Sequence, residues 1–321
     1  MTDPNSVFDA INESKGSAEA GSIDDGEFFV TAGDNLYPKD GYNPTDEEFA
    51  TMMTLFEREN IDDLKIYPIR GNHDCYFDDN FELDKSDDYE KWEFYDFYYT
   101  KEIEVGKNGE KMGFLMVDSC LMLCANYSYA GDSGGHMLLH AEHKRLRDVV
   151  CNDPVVTQKG NDMYKWINET MIEWEQDEKM LWKATVLHHP MWGKWYPDFA
   201  NIVLNFLPML QDHKFDLYLN GHEHVISYAH YPYTQVPHSH AQQAINDYFE
   251  ALVKEDFASE HLLKEYNCEV GQESFFGYDP DVRTLRMKKG EALHQITTGT
   301  SGFDEYLLCL SRPSMGTFTY A

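Results

Sequence analysis

Four short segments of this 321-residue sequence bring together side chains that suit metal binding. The segments are Gly33-Asp34-Asn35-Leu36-Tyr37, Gly71-Asn72-His73-Asp74, His188-His189-Pro190 and Gly221-His222-Glu223-His224. Their carboxylate, amide, phenolate and imidazole groups are hard to borderline donors, which suit Fe, Mn or Zn and differ from the thiolates of a zinc finger. An aspartate able to bridge, with ligands for two sides, indicates a two-metal centre. Such centres activate water and stabilise in-line displacement at phosphorus.

Each segment has an ordinary structural explanation when it is taken alone. Gly33-Asp34 is typical of a turn after a strand, and Tyr37 could be an aromatic residue packed at the end of that strand. A pair of adjacent histidines often has one buried and one exposed ring. Four such segments, each at the end of a predicted strand, favour a metal site over these separate explanations.

The strands that must position these segments are short apolar runs. They are predicted at 27–32, 65–70, 112–118, 183–188, 215–219 and 293–298. Ligands of open α/β sheets bind where loops leave the carboxyl ends of the strands. The first, second, fourth and fifth runs each lead directly into one of the four segments, so we expect the segments to meet at one edge.

Helical patterns alternate with these strands and indicate an α/β layered domain. A capping box at Thr45-Asp-Glu-Glu48 predicts one helix, apolar spacing over 163–174 predicts a second, and spacing over 202–210 predicts a third. The acidic and aromatic stretch 76–99 is interpreted as surface loop or short helix. An insertion is predicted at about 229–291.

Composition excludes some classes of function. Asp and Glu outnumber Lys and Arg by 57 to 26, for a net charge of −31, which argues against binding to nucleic acid or to anionic membranes. No apolar run is long enough to span a membrane. Six cysteines leave disulfides open, and Asn12, Asn126 and Asn168 begin three possible N-glycosylation sites.

The order GDNLY, GNHD, HHPMW and GHEH resembles the purple (tartrate-resistant) acid phosphatases, a branch of the calcineurin-like metallophosphoesterases. The resemblance runs from about residue 27 to 228 and continues weakly over HQITTGTSGFDE and SMGTFTY. It implies an α/β/β/α sandwich of two mixed sheets flanked by helices. In this sequence the sandwich would lack its first strand and its last strands. The whole of 1–321 would then be one metallophosphoesterase domain, incomplete at both ends.

The resemblance also implies a role for each matching residue. Asp34 would bridge two metal ions, Tyr37 and His224 would bind Fe(III), and Asn72, His188 and His222 would bind a divalent ion (Fe, Zn or Mn). His73 and Asn72 would contact the substrate phosphate, and His73 would protonate the leaving alkoxide. A metal-bound hydroxide would attack a phosphate monoester in line.

Two departures from the family pattern stand out. The family's first motif, Asp-x-Gly, would fall at or before Met1, and Asp3, Asp24 and Asp25 follow no strand. A further family histidine has no counterpart near Trp195-Tyr196-Pro197. The family and the glycosylation sites suggest a secreted, lysosomal or vesicular protein, although residues 1–16 lack the pattern of a signal peptide.

Other polar residues receive weaker interpretations. His189 is expected to face solvent or substrate rather than to bind metal. Asp118 is expected to join a hydrogen-bond network in the core, and His238 and His240 are expected on the surface. No role is predicted for Cys120 or Cys124.

The leading hypothesis is therefore a dinuclear-metal acid phosphatase that acts on phosphate monoesters. The alternative is a catalytically weakened phosphatase-fold protein with a structural or binding role, which the missing first motif and the insertion motivate. A related phosphodiesterase is disfavoured because Tyr37 is present.

Overall fold

The computed structural model describes residues 28–38, 43–76, 80–129, 148–191, 202–224, 226–232, 278–279, 284–285, 289–298 and 318–320. Within these ranges the strands are β1 Phe28–Val30, β2 Lys65–Tyr67, β3 Tyr98–Glu104, β4 Lys111–Val117, β5 Met180–Val186, β6 Leu217–Asn220, β7 Ile226–Pro232, β8 Tyr278–Asp279, β9 Thr284–Leu285, β10 Ala292–Thr298 and β11 Phe318–Tyr320.

Seven of these strands form one mixed sheet in the order β11-β7-β10-β6-β5-β4-β3. The four central strands β10, β6, β5 and β4 are parallel to one another. The outer strands β3, β7 and β11 pair antiparallel with their neighbours. Because parallel strands end at the same edge, the loops that leave β4, β5 and β6 lie side by side.

A second sheet contains the parallel pair β1 and β2, with Phe29 opposite Ile66. Phe28 connects this pair to the large sheet, because its ring contacts Phe114 of β4 edge-on at 5.7 Å. The apolar core includes residues of both sheets. The prediction of an α/β fold with layered sheets is confirmed, and among the described residues the second sheet has two strands.

The described helices agree only in part with the sequence pattern: three overlap predicted helices, one lies within 76–99, and the one at Ser119–Cys124 was not predicted. They are α1 Asp46–Met53, α2 Phe81–Asp88, α3 Ser119–Cys124, α4 Pro154–Gln176 and α5 Leu207–Asp212, which continues a π-helical turn at Ile202–Phe206. The capping box of α1 is present, with Thr45 Oγ1 accepting from the Glu48 N–H at 3.2 Å. Asp153 caps α4, whose apolar face is buried at Met163, Ile167, Met171 and Trp174. No helix among the described ranges is long and apolar enough to cross a membrane.

Strand β3 was not predicted, and the interpretation of 76–99 as surface loop or short helix is only partly right. Helix α2 lies inside this stretch. However, Trp92 and Phe94 are 1% and 2% exposed and belong to the core, not to a surface loop. The many acidic residues around these aromatics concealed their burial.

The predicted insertion at about 229–291 falls between two neighbouring strands. Strand β7 extends to Pro232, which pairs with Ala292 at the start of β10. Residues 229–232 are therefore part of the sheet, and the connection follows them. Only the short β8–β9 pair and residues 289–291 of that connection are described, and the helix predicted near 241–265 lies outside the described residues.

Candidate metal centre

The loops after β1, β2, β5 and β6 meet at one site, as the sequence predicts. The backbone itself is specialised there, since Asp34 and His222 adopt φ of +54° and +66°, which non-glycine residues rarely adopt. Backbone conformations of this kind persist where surrounding structure enforces them, and they concentrate at functional sites.

Four ligand-type atoms from the four loops converge at this site. The Asn72 Oδ1 atom lies 2.9 Å from both His188 Nε2 and His222 Nδ1, and those two nitrogens lie 3.2 Å apart. Asp34 Oδ2 lies 3.3 Å from His188 Nε2. Atoms that bind one ion at about 2.1 Å lie about 3.0–3.4 Å from one another. Asn72 Oδ1, His188 Nε2 and His222 Nδ1 have close to this mutual spacing, and Asp34 Oδ2 has it with His188 Nε2.

Asp34 also contacts the residues expected on the other side of the centre. The Tyr37 hydroxyl donates to Asp34 Oδ2 at 2.9 Å, and the His73 backbone N–H donates to Asp34 Oδ1 at 2.9 Å. The Tyr37 and His73 rings lie 4.5 Å apart, and Tyr37 is 39% exposed. Asp34 Oδ2 therefore lies between His188 and Tyr37, which were predicted to bind different ions, while a backbone N–H holds Oδ1.

The position of His224 leaves its predicted role as an iron ligand open. It follows His222 in the same loop and is half-buried. The cluster whose ring nitrogens lie within 4.8 Å of one another contains His188, His189 and His222 and does not include His224.

His189 differs from the expectation that it faces solvent or substrate. It is 1% exposed, and its ring lies 5.0 Å from the His188 ring and 4.8 Å from the His222 ring. Its Nδ1 atom makes a 2.7 Å hydrogen bond with Ser119 Oγ. The prediction was wrong because the loop after β5 turns inward at His189, and sequence reasoning missed Ser119 altogether. The only available signal was the position of Ser119 directly after a predicted strand.

Asp74 ties the first two loops together. Its carboxylate accepts backbone N–H groups from Gly71 at 2.7 Å, Asn35 at 3.1 Å and Leu36 at 3.2 Å. The Asn35 amide donates in turn to Glu82 Oε2 at 2.9 Å. These bonds fix the separation of Asp34 from Asn72.

The electrostatics of the site follow from burial and from charge pairing. Burial opposes ionisation of Asp34, but the imidazoles of His188, His73 and His222 outweigh burial and lower its pKa. Burial likewise opposes protonation of His188, and the Asp34 charge outweighs it and raises the His188 pKa. Burial and the negative charge of Asp34 raise the pKa of Asp74 to about 6. Asp34 is thus kept as a carboxylate, the form that binds cations.

Two glycines allow the first two loops to approach each other. Gly33 has φ of +81°, and a Cβ there would lie 2.7 Å from both Gly71 Cα and His188 Nδ1. A Cβ on Gly71 would collide with the Asp34 carboxylate. Any larger residue at either position would push the ligand loops apart.

The expectation that Asp118 belongs to a core network agrees with its contacts. It is fully buried, and Arg70 Nε donates to its Oδ2 atom at 2.7 Å. Its Oδ1 atom caps α3 through the N–H groups of Cys120 and Leu121. Cys120 forms a disulfide with Cys75, and Cys124 forms one with Cys151, so all four described cysteines are paired. Because its sulfurs are joined, the nearby Cys75, Asp118 and Cys120 group offers no thiolates to a metal.

The donor set at the four-loop junction fits the metals that the sequence suggested. It offers one carboxylate, one amide oxygen and two imidazole nitrogens, and the amide nitrogen of Asn72 is buried without a hydrogen-bond partner among the described residues. A cation bound to Asn72 Oδ1 would explain why the oxygen of this amide has close contacts while its nitrogen has no hydrogen bond. These residues therefore fit a borderline divalent metal ion.

A sequence profile described as calcineurin-like phosphoesterase matches residues 3–226 of the chain. The chain belongs to this family. The chain is 22% identical to tartrate-resistant acid phosphatase type 5 of Rattus norvegicus over 233 residues, which cover 70% of the chain and 64% of the relative. The same enzyme of Sus scrofa is 22% identical over 205 residues, which cover 63% of the chain and 54% of the relative. The chain thus spans 54–64% of the length of these relatives.

A solved structure described as "GAP50 the anchor in the inner membrane complex of Plasmodium" is similar to this chain in fold. The TM-score is 0.54 at 13% identity, with 98% of this chain and 72% of that chain covered. The match supports the layered α/β fold of the family.

Several residues discussed from the sequence lie outside the described ranges: Asp3, Asn12, Asp24, Asp25, Trp195, Tyr196, Pro197, His238 and His240. Of the two described glycosylation candidates, Asn126 is exposed in the loop after α3. Asn168 is half-buried within α4, and Thr170 of its sequence motif is 7% exposed.

Proposed function

We propose that this member of the calcineurin-like phosphoesterase family is a dinuclear-metal acid phosphatase that hydrolyses phosphate monoesters. The observation that carries the proposal is the convergence of Asp34, Asn72, His188 and His222 from four strand ends to within 3.3 Å along adjacent contacts. In the expected pair of ions, Tyr37 and His224 would hold Fe(III), Asn72, His188 and His222 would hold a divalent ion, and Asp34 would contact both. Such ions supply an activated water and neutralise charge at phosphorus.

The chain's own residues then orient the ester and move a proton. His73 is half-buried, and its ring lies beside the Tyr37 ring next to the proposed metal ligands. This position suits contact with a phosphate oxygen. As the bond between water oxygen and phosphorus forms, the bond from phosphorus to the alkoxide breaks. His73 gives its proton to the departing alkoxide, and the products are an alcohol and inorganic phosphate.

The test is hydrolysis by the protein reconstituted with iron and zinc at acidic pH. We expect p-nitrophenyl phosphate to be cleaved faster than bis(p-nitrophenyl) phosphate. We also expect His73→Asn to slow phenyl phosphate, which has a poorer leaving group, more than p-nitrophenyl phosphate. A preference for the diester would favour the phosphodiesterase hypothesis, and an equal effect of His73→Asn on both monoesters would exclude its role as proton donor.

The alternative is a phosphatase-fold protein that binds or anchors rather than catalyses. It is favoured by the fold-level likeness to the Plasmodium anchor protein. Metal binding without measurable hydrolysis of either ester would support this alternative.

The proposed location is a secreted, lysosomal or vesicular compartment. The disulfides Cys75–Cys120 and Cys124–Cys151 support it, since disulfides persist in oxidising compartments. Asn126 is the better glycosylation candidate there, because acceptor sites favour exposed loops over helix interiors. A net charge of −31 supports a small phosphomonoester rather than nucleic acid as the substrate.

A further inference from the structure

Ser119 and His189 form a buried pair that lies against the proposed metal ligands, and the proposed function gives neither residue a role. One ring nitrogen of His189 is within 4.8 Å of ring nitrogens of both His188 and His222. The His189 ring is tilted by 50° against the His222 ring at a centroid distance of 4.8 Å. Any rotation of the His189 ring would therefore disturb the ring of His222.

His189 is fixed at three points. Its backbone N–H donates to Ser119 Oγ at 3.3 Å, and its carbonyl accepts from the Tyr218 hydroxyl at 2.7 Å. Its Nδ1 atom makes the third bond, also to Ser119 Oγ. Because the serine oxygen accepts the peptide N–H, its single proton is available to donate to Nδ1. One hydroxyl thus fixes both the backbone and the ring of His189.

Ser119 is itself held rigidly. It is fully buried as the first residue of α3, and Asp118 caps that helix while pairing with Arg70. The next residue, Cys120, is joined by a disulfide to Cys75 in the loop that carries Asn72. The loop after β4 therefore connects to the Asn72 loop on one side and to His189 on the other.

His222 needs such support because of its own backbone. Its φ of +66° lies in the left-handed region, which is unfavourable for a residue with a Cβ. Its ring must nevertheless keep Nδ1 within 2.9 Å of Asn72 Oδ1. A neighbouring ring held at three points limits the rotations open to it.

We propose that Ser119 and His189 are positioning residues for the divalent-metal site, with Ser119 fixing the His189 ring and that ring fixing His222. The inference rests on the metal site of the proposed function. The pair adds no ligand, and its effect is to keep the ligand rings in the geometry that the ion requires.

The test measures Co(II) affinity and the Co(II) visible spectrum of metal-stripped protein after addition of cobalt. Ser119→Ala is expected to weaken Co(II) binding about 10–100-fold and to alter the spectrum. Ser119→Thr, which keeps the hydroxyl, is expected to restore both. The matched control is Thr185→Val, since Thr185 is also fully buried but its hydroxyl bonds to the Leu115 carbonyl, away from the histidines.

A double variant separates the proposed connection from general loss of packing. In a His189→Phe background, Ser119→Ala is expected to cost less Co(II) affinity than in the wild-type background, because the ring nitrogen that the hydroxyl fixes is gone and only the contact with the backbone N–H of position 189 is left to lose. His189→Phe alone must also weaken binding, which keeps the test available if Ser119→Ala does not fold.

Three results would overturn the inference. The first is wild-type Co(II) affinity and spectrum in Ser119→Ala, and the second is an equal loss in Thr185→Val. The third is an additive loss in the double variant. In all three the wild type binds cobalt, so the proposed function survives; a wild type that binds no divalent ion would overturn both.

Discussion

At the scale of single residues, the metal centre depends on positions that only certain side chains can occupy. Asp34 and His222 keep left-handed backbone conformations, while Gly33 and Gly71 let their loops approach closely. The backbone strain and the close packing persist because hydrogen bonds to Asp74 from Asn35 and Gly71 hold the loops after β1 and β2 in place.

Gly33→Ala is predicted to destabilise the fold and to weaken metal binding. The left-handed backbone costs about 1–2 kcal/mol for alanine, and overpacking against Gly71 and His188 adds about 1–3 kcal/mol. Gly290→Ala is the matched control, because Gly290 has φ of +79° but a Cβ there would meet no described atom within 4 Å. Denaturant unfolding and zinc titration of both variants check this. Equal effects of the two would mean that the close approach of the loops is unimportant.

Tyr37→Phe is predicted to remove a visible absorption band from the iron-loaded protein. The Tyr37 hydroxyl already points at Asp34 Oδ2, and as a phenolate it is the expected source of charge transfer to Fe(III). Absorption spectra of wild type and variant at equal iron content provide the measurement. A colourless wild type with iron bound, or a variant that keeps the band, would contradict the assignment of Tyr37.

At the scale of elements, the strand-end rule accounts for what the sequence could predict. Asp34, Asn72, His188 and His222 each follow a strand, and parallel strands bring such residues to one edge. The Ser119–His189 contact joins positions 70 residues apart, and no local pattern encodes that distance. The sequence likewise could not predict which cysteines form disulfides, because cysteine spacing does not determine connectivity.

The Cys75–Cys120 disulfide is predicted to support both the fold and the metal site. Replacing both cysteines with serine should lower the free energy of unfolding by about 2–4 kcal/mol. It should also weaken zinc binding, because Cys75 follows Asn72 and His73 in the same loop. The control is the double serine variant of Cys124 and Cys151, whose disulfide joins α3 to the segment just before α4. This variant should lose stability but keep its zinc affinity. Equal zinc affinity in the two variants would contradict the prediction.

Glu82 in α2 is predicted to make the stability of the metal-free protein depend on pH. Burial and the neighbouring Asp74 charge raise its pKa well above the ordinary value. As pH rises past that ordinary value, the unfolded chain loses the proton while the folded chain keeps it. The free energy of unfolding therefore falls, by at most about 1.4 kcal/mol per pH unit for one proton.

Glu82→Gln should reduce this fall, because glutamine carries no proton to lose. Denaturant unfolding of both proteins from pH 4 to pH 7 checks the sign. If the variant shows as steep a decline as the wild type, the dependence originates elsewhere.

At the scale of the whole molecule, the proposed function requires a strongly acidic chain to attract an anionic substrate. The net charge of −31 would repel a phosphate ester unless local positive charge reverses the field. Two metal ions between the β1–β2 pair and the large sheet would provide that reversal. The sheets thus bring four loops to one point, and in the proposed function the ions would make that point attractive to phosphate.

The most direct test of this account is metal-dependent hydrolysis of p-nitrophenyl phosphate by wild type and His188→Ala. Removal of metal by a chelator should abolish wild-type hydrolysis, and iron together with zinc should restore it. His188→Ala should stay at least about 100-fold slower under the same reconstitution, since it loses a metal ligand that contacts both Asp34 and Asn72. Hydrolysis that survives both the chelator and the loss of His188 would show that the four-loop junction is not the active site.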